Sequence, residues 1–144
     1  MLEMSRYQAI GGSDEAGKGE WLGPMTIAAV AVTPKQSLYL VTQGVMDSKE
    51  LKDETIEALS KVIGKNCLSY HVITIAPKRF NELFQDVKNE GRTLNHILAW
   101  GHAKAISQVD RELKRKGISG KIRLIIDEFG SYLGAQKGWH ACVF

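Results

Sequence analysis

Long apolar runs are missing from this chain of 144 residues. The longest, Ile27 to Val32, falls far short of the ~18 residues that a membrane-spanning helix needs. Cysteine is scarce: Cys67 and Cys142 stand far apart and form no CxxC pair, which excludes a disulfide-dense mini-protein and fits reduced thiols. The histidines, His71, His96, His102 and His140, have no zinc-ligand spacing with cysteine or aspartate. Charge of one sign is also lacking. Nineteen basic against sixteen acidic residues leave +3, so the sum neither demands nor excludes a polyanionic partner. The first residues carry Glu3 and no apolar core, unlike a secretory signal. With 44% apolar and 24% charged residues, disorder and fibrous classes are excluded. The expectation is one soluble, cytoplasmic domain with a real core and no membrane contact.

What is present reads as alternating strands and helices. Tyr7 to Gly12 reads as a short strand entering a glycine-rich turn. Met25 to Val32 is a buried strand that Pro34 stops. Asp53 to Lys65 has helical spacing, with Ile56, Leu59, Val62 and Ile63 on one face and Gly64 at its end. Leu68 to Ile75 reads as a strand, and Pro77 opens a helix carrying Phe80, Leu83 and Phe84. Thr93 to Lys116 is the longest helical pattern, striped by Leu94, Ile97, Leu98, Ala105, Ile106, Val109 and Leu113 and ended by Gly117. Lys121 to Ile126 is a strand running into Asp127. The first strands are close enough to pair antiparallel, so the class is mixed α/β around one sheet.

Two chemistries compete for Gly12-Ser13-Asp14-Glu15-Ala16-Gly17-Lys18-Gly19. The glycine and lysine spacing matches a phosphate-binding loop. However, Gly19 replaces the required hydroxyl, two carboxylates would repel phosphate, and a strand follows instead of a helix. A metal-carboxylate site suits the segment better, because hard divalent cations take oxygen ligands. Adjacent strand residues face opposite ways. Asp14 and Glu15 therefore share one metal by side chain only if the chain turns there; otherwise Glu15 uses its backbone carbonyl. Asp127 closes a second apolar strand. If the two strands lie parallel, both acids meet at the carboxyl end of the sheet, where like charges need a cation between them.

Taken together, Asp14-Glu15-Ala16-Gly17-Lys18-Gly19, Gly23-Pro24, Asp47-Ser48-Lys49-Glu50-Leu51 and Asp127 after an apolar strand resemble the type 2 ribonucleases H, HII and HIII. The resemblance covers nearly the whole chain in order. It implies a single domain over 1–144 with a ribonuclease H-like α/β fold, a mixed central sheet flanked by helices. It implies a metal-dependent endoribonuclease that cuts the RNA strand of RNA–DNA hybrids and leaves 5′-phosphates, with Mg2+ or Mn2+ as cofactor and no required protein partner. Asp14, Glu15 and Asp127 become the metal-site and catalytic acids. Gly17, Lys18 and Gly19 become a turn approaching the ribose 2′-hydroxyl, the group that separates RNA from DNA. Ser48, Lys49 and Asn95 become substrate contacts. Lys18 and the Asn95-His96-x-Leu98-Ala99-Trp100 helix lean towards type HIII.

The family's fourth acid lies further downstream, and Ser131 to Phe144 holds no Asp or Glu. The pattern thus reads as truncated at its C-terminus, with a catalytically impaired hybrid-binding remnant as the alternative. Glu128 adjoins Asp127 but should face the other way. Taken outside the motif, Ser48 would be a turn residue satisfying local amides. The basic stretch Arg111, Lys114, Arg115, Lys116, Lys121 and Arg123 reads as a solvated face at a helix end. Trp21, Trp100 and Trp139 read as core or rim positions.

Overall fold

The computed structural model describes residues 6–17 and 23–126. Four strands and four α-helices follow one another as β1 (Ala9–Ala16), β2 (Met25–Val32), α1 (Pro34–Thr42), α2 (Asp53–Asn66), β3 (Ser69–Ile75), α3 (Pro77–Asn89), α4 (Leu94–Arg115) and β4 (Ile122–Ile126). A 3₁₀ turn, Ser48–Glu50, lies between α1 and α2. The sheet order is β3-β2-β1-β4. β1, β2 and β3 form an antiparallel meander, while β4 lies parallel to β1 with Ala9 opposite Ile122 and Ser13 opposite Ile126. The mixed sheet with antiparallel first strands agrees with the sequence reading, and the β1–β4 pair meets its condition of parallel strands.

Three details depart from that reading. β1 does not end at Gly12. It runs on through both glycines and both acids to Ala16, because the ladder to β2 continues to Ala16 opposite Thr26. Pro34 ends β2 but also opens α1, which the sequence reading lacks. Thr33 caps that helix: its Oγ1 accepts from the Gln36 amide at 3.1 Å, and Gln36 Oε1 accepts from the Thr33 amide at 2.8 Å. Gly64 lies inside α2, which continues to Asn66.

The core forms where α4 crosses the sheet. Leu98, Ala105, Val109 and Leu113 are fully buried against Ile27, Ala29 and Ile75. Gly101 makes the close crossing possible. A Cβ there would overlap Ile27 Cδ1, and Ile27 is itself 0% exposed in a close-packed core. The stripe of α2 is only half-buried. The face of the sheet opposite α4 presents Tyr70, Val72 and Ile125 to solvent. Among the described residues, no helix is long and apolar enough to cross a membrane.

Candidate metal and substrate site

The end of β1 alternates strictly. Ser13 is 6% exposed and Glu15 is largely covered, both turned towards α4; Asp14, between them, points to the open face. There Asp14 borders a shallow apolar depression formed with Gly12, Ala28, Val30 and Ile125. Asp14 Oδ1 accepts the Glu15 amide at 2.8 Å, which fixes the carboxylate rotamer. The glycine turn expected at the acid pair is therefore not there. The extended ladder carries both acids, and the chain turns only at Gly17, whose φ is +82°. The first of the two sequence options, both side chains on one metal through a turn between them, is overturned by this ladder.

Glu15 is engaged on its own side. His102, 1% exposed on α4, places Nε2 3.1 Å from Glu15 Oε2 and Nδ1 2.8 Å from Ser13 Oγ. A carboxylate only accepts, so Nε2 must carry the hydrogen; in the neutral ring, Nδ1 is then bare and the Ser13 hydroxyl donates to it. The sequence reading only excludes His102 as a zinc ligand. A signal is there to be read. Position 102 falls in phase with Leu98, Ala105 and Val109 on the buried stripe, and a polar ring there has to find polar partners.

The remaining candidates are dispersed. Ser48 and Lys49 sit on the exposed 3₁₀ turn. It is Asp47, not Ser48, that satisfies the local amide, its Oδ1 accepting from Lys49 N at 3.0 Å. Asn95 is half-buried in the first turn of α4, about 10 Å N-terminal to His102 on the same face. A Cβ on Gly17 would lie 2.5 Å from the Pro24 carbonyl oxygen, so the chain's own packing and the positive φ already require glycine. Lys18, Gly19 and Asp127 lie outside the described residues, as do Glu128, Trp21 and Trp139. β4 is described up to Ile126, the residue before Asp127.

The basic stretch on α4 is largely paired on its own helix: Lys114 with Asp110 at 2.7 Å, and Arg115 with Glu112 at 3.1 Å. Lys121 and Arg123 lie over the Tyr7 ring, at 5.1 and 5.9 Å from its centroid. Trp100 is exposed under Lys104. Burial pushes the Cys67 thiol up, which keeps it protonated and a poor nucleophile at neutral pH. Among the described residues, no three His, Cys, Asp or Glu side chains converge as a ready metal cage.

Comparison with known proteins places this arrangement. A family model described as Ribonuclease HII matches residues 11–137. The ribonuclease HIII of Protochlamydia amoebophila is 44% identical over 118 residues, covering 82% of this chain and 36% of that protein. A ribonuclease HIII of Bacillus cereus is 36% identical over 135 residues, covering 90% of this chain and 41% of that protein. The chain thus spans about two fifths of the length of these curated relatives. Among solved structures, Bst-RNase HIII in complex with Mn2+ superimposes with a TM-score of 0.74 at 23% identity, over 95% of this chain and 44% of that one. At that identity the likeness shows a shared fold.

Proposed function

The chain belongs to the ribonuclease HII family, and on that footing we propose that it hydrolyses the RNA strand of RNA–DNA hybrids with a divalent cation at the carboxyl ends of β1 and β4. The observation that supports this most is the parallel register. Ser13 opposite Ile126 brings the end of an apolar strand level with the Asp14 carboxylate, at the edge of an α/β sheet where ligands bind.

The donor set suits a hard cation. Asp14 is exposed, its rotamer is fixed by the Glu15 amide, and among the described residues the depression it borders offers no thiolate or imidazole. Oxygen donors of this kind select Mg2+ or Mn2+ over zinc. Asp14 and Asp127 would hold the cation from adjacent strands, with Glu15 contributing charge from the helix side. The bound ion supplies Lewis acidity towards a phosphate oxygen and compensates the charge developing on the leaving 3′-oxygen.

The protein's share is placement. β1, paired with β4 up to Ser13 and with β2 through Ala16, holds Asp14 in place. Gly17, whose φ is +82°, opens the Gly17-Lys18-Gly19 motif, from which a main-chain group would reach a 2′-hydroxyl. Lys49, exposed on its turn, meets a backbone phosphate, and Asn95 contacts the same strand from the start of α4. An intracellular hybrid is the partner this chemistry needs, in the cytoplasm.

The test is calorimetry with Mn2+ on the wild type and Asp14→Asn, paired with cleavage of a ribose-containing hybrid and an all-DNA duplex. The substitution removes a charge and keeps the shape, so it should abolish Mn2+ binding and cleavage without unfolding the chain. Equal Mn2+ affinity would overturn the Asp14 assignment. Hybrid-selective binding without any cleavage would favour a non-catalytic binding module.

A further inference from the structure

We propose that His102 is a positioning residue for the cation site: it orients the Glu15 carboxylate through a Ser13–His102–Glu15 chain and never touches cation or substrate. The inference rests on the reading of the β1 end as a metal site and goes one layer deeper.

Three observations carry it. The ring is 1% exposed and sits on the core face of α4, in the row of Leu98, Ala105 and Val109. An apolar residue would fill that place at lower desolvation cost, so the imidazole has to be repaid by its polar contacts. Both ring nitrogens have partners on one strand, Ser13 Oγ at 2.8 Å and Glu15 Oε2 at 3.1 Å. Those partners are residues i and i+2 of β1 and so share its α4 face, flanking the Asp14 that faces the other way. The helix thus grips β1 on both sides of the exposed acid.

The direction of the hydrogen bonds follows from chemistry alone. Glu15 accepts from Nε2–H, and Nδ1 accepts from the Ser13 hydroxyl. The carboxylate, which can only accept, makes Nε2–H the form that fits, and the serine hydroxyl adapts to Nδ1 and holds the ring so that Nε2–H fixes the orientation of the carboxylate. Glu15 acts on the cation through its charge, so losing the partner that orients it should cost no more than the low end of the about 10–100-fold seen when the partner of a direct ligand is removed. Gly101, the residue before His102, sets the distance: the contact it allows at Ile27 brings α4 close enough for the ring to reach β1.

The experiment uses the full 144-residue chain. Long-range 15N correlation spectra of histidine-labelled protein should show His102 with protonated Nε2 and unprotonated Nδ1, and Glu15→Gln should shift the Nε2 resonance. Mn2+ affinity is then measured for the wild type, His102→Leu, His102→Gln, Glu15→Gln and the double variant His102→Leu/Glu15→Gln. Leucine keeps the bulk and loses both hydrogen bonds; glutamine keeps a donor near the Nε2 position. Leucine should weaken Mn2+ binding on the order of tenfold, and glutamine should restore most of it. In the Glu15→Gln background, leucine should have no further effect. Val109→Ala serves as the packing control, lowering thermal stability with unchanged Mn2+ affinity.

The opposite tautomer, or equal Mn2+ affinity in wild type and His102→Leu, overturns the positioning role alone. Additive losses in the double variant also overturn it, because His102 would then not act through Glu15. A wild type that binds no Mn2+ overturns both this role and the metal reading beneath it.

Discussion

Single atoms decide much at Gly101. Placing one methyl there sets two effects against each other. Alanine gains roughly 1 kcal/mol of helix propensity over glycine, but overlap with the buried Ile27 Cδ1 costs about 1–3 kcal/mol. The overlap should win. Gly101→Ala is expected to lower stability to urea by up to about 2 kcal/mol, and Ile27→Val, which removes the offending methyl, should recover part of that loss in the double variant. Two losses that simply add would show that the crossing is not set by this contact. The same scale shows where sequence reasoning runs out. Asp14 and Glu15 are identifiable as a pair, and their opposite orientation follows from strand alternation. The pairing of Glu15 with a histidine 87 residues away is a tertiary fact, and only the misplaced polarity of position 102 on an apolar stripe hints at it.

At the level of elements, the long or strongly periodic segments are legible in the sequence and the ambiguous boundaries are not. β2 is Met25–Val32 in both readings, and α4 differs by a residue at each end. The sequence shortens β1 because glycines usually interrupt strands, yet Gly11 and Gly12 lie in the middle of a sheet paired on both sides. It hides α1 because Pro34 reads as a stop, although proline is equally at home in the first turn of a helix. The reciprocal hydrogen bonds between Thr33 and Gln36 make α1 a short, capped helix with only Leu40 buried. With so little packing, the cap should matter. Thr33→Ala should cost about 1 kcal/mol by urea titration, and Gln36→Ala should cost less because it leaves the Thr33 hydroxyl on its amide. Indistinguishable midpoints for wild type and Thr33→Ala would remove the cap from the account of α1.

Over the whole molecule, the two faces of the sheet differ in kind. One lies under α4. The other carries Tyr70 at 58%, Val72 at 47% and Ile125 at 54% exposure beside the Asp14 carboxylate. Neighbouring aliphatic and aromatic side chains in water favour self-association. Ile125→Thr should therefore change stability by no more than about 0.5 kcal/mol while reducing concentration-dependent association in light scattering. The same replacement at Ile27, fully buried, should unfold the chain. Association unchanged by Ile125→Thr would show that this face is not its origin. The α/β class is readable from the alternation of apolar runs and helical stripes, and the strand-end acids raise the parallel β1–β4 pairing as a condition that the structure meets. Which face is covered is not, because every strand alternates and the alternation alone does not say where α4 will land.

The parallel pairing of β1 with β4 also has a consequence in time. β1, β2 and β3 are joined by successive antiparallel pairs, whereas β4 returns from the far end of the described chain to lie beside β1; the Gly120 amide reaches Gln8 Oε1 across 112 residues. Closing so large a loop is entropically slow, and pairings of high sequence separation come late. On a ribosome synthesising from the N-terminus, the side of β1 meant for β4 would stay unpaired until β4 had emerged. The Asp14 carboxylate would likewise wait for its neighbouring strand until residue 126 had emerged. Among the described strands, β4 would thus be the last to join the sheet, so a nascent chain stalled before it would carry Asp14 and Glu15 without the strand end that the proposed cation site needs beside them.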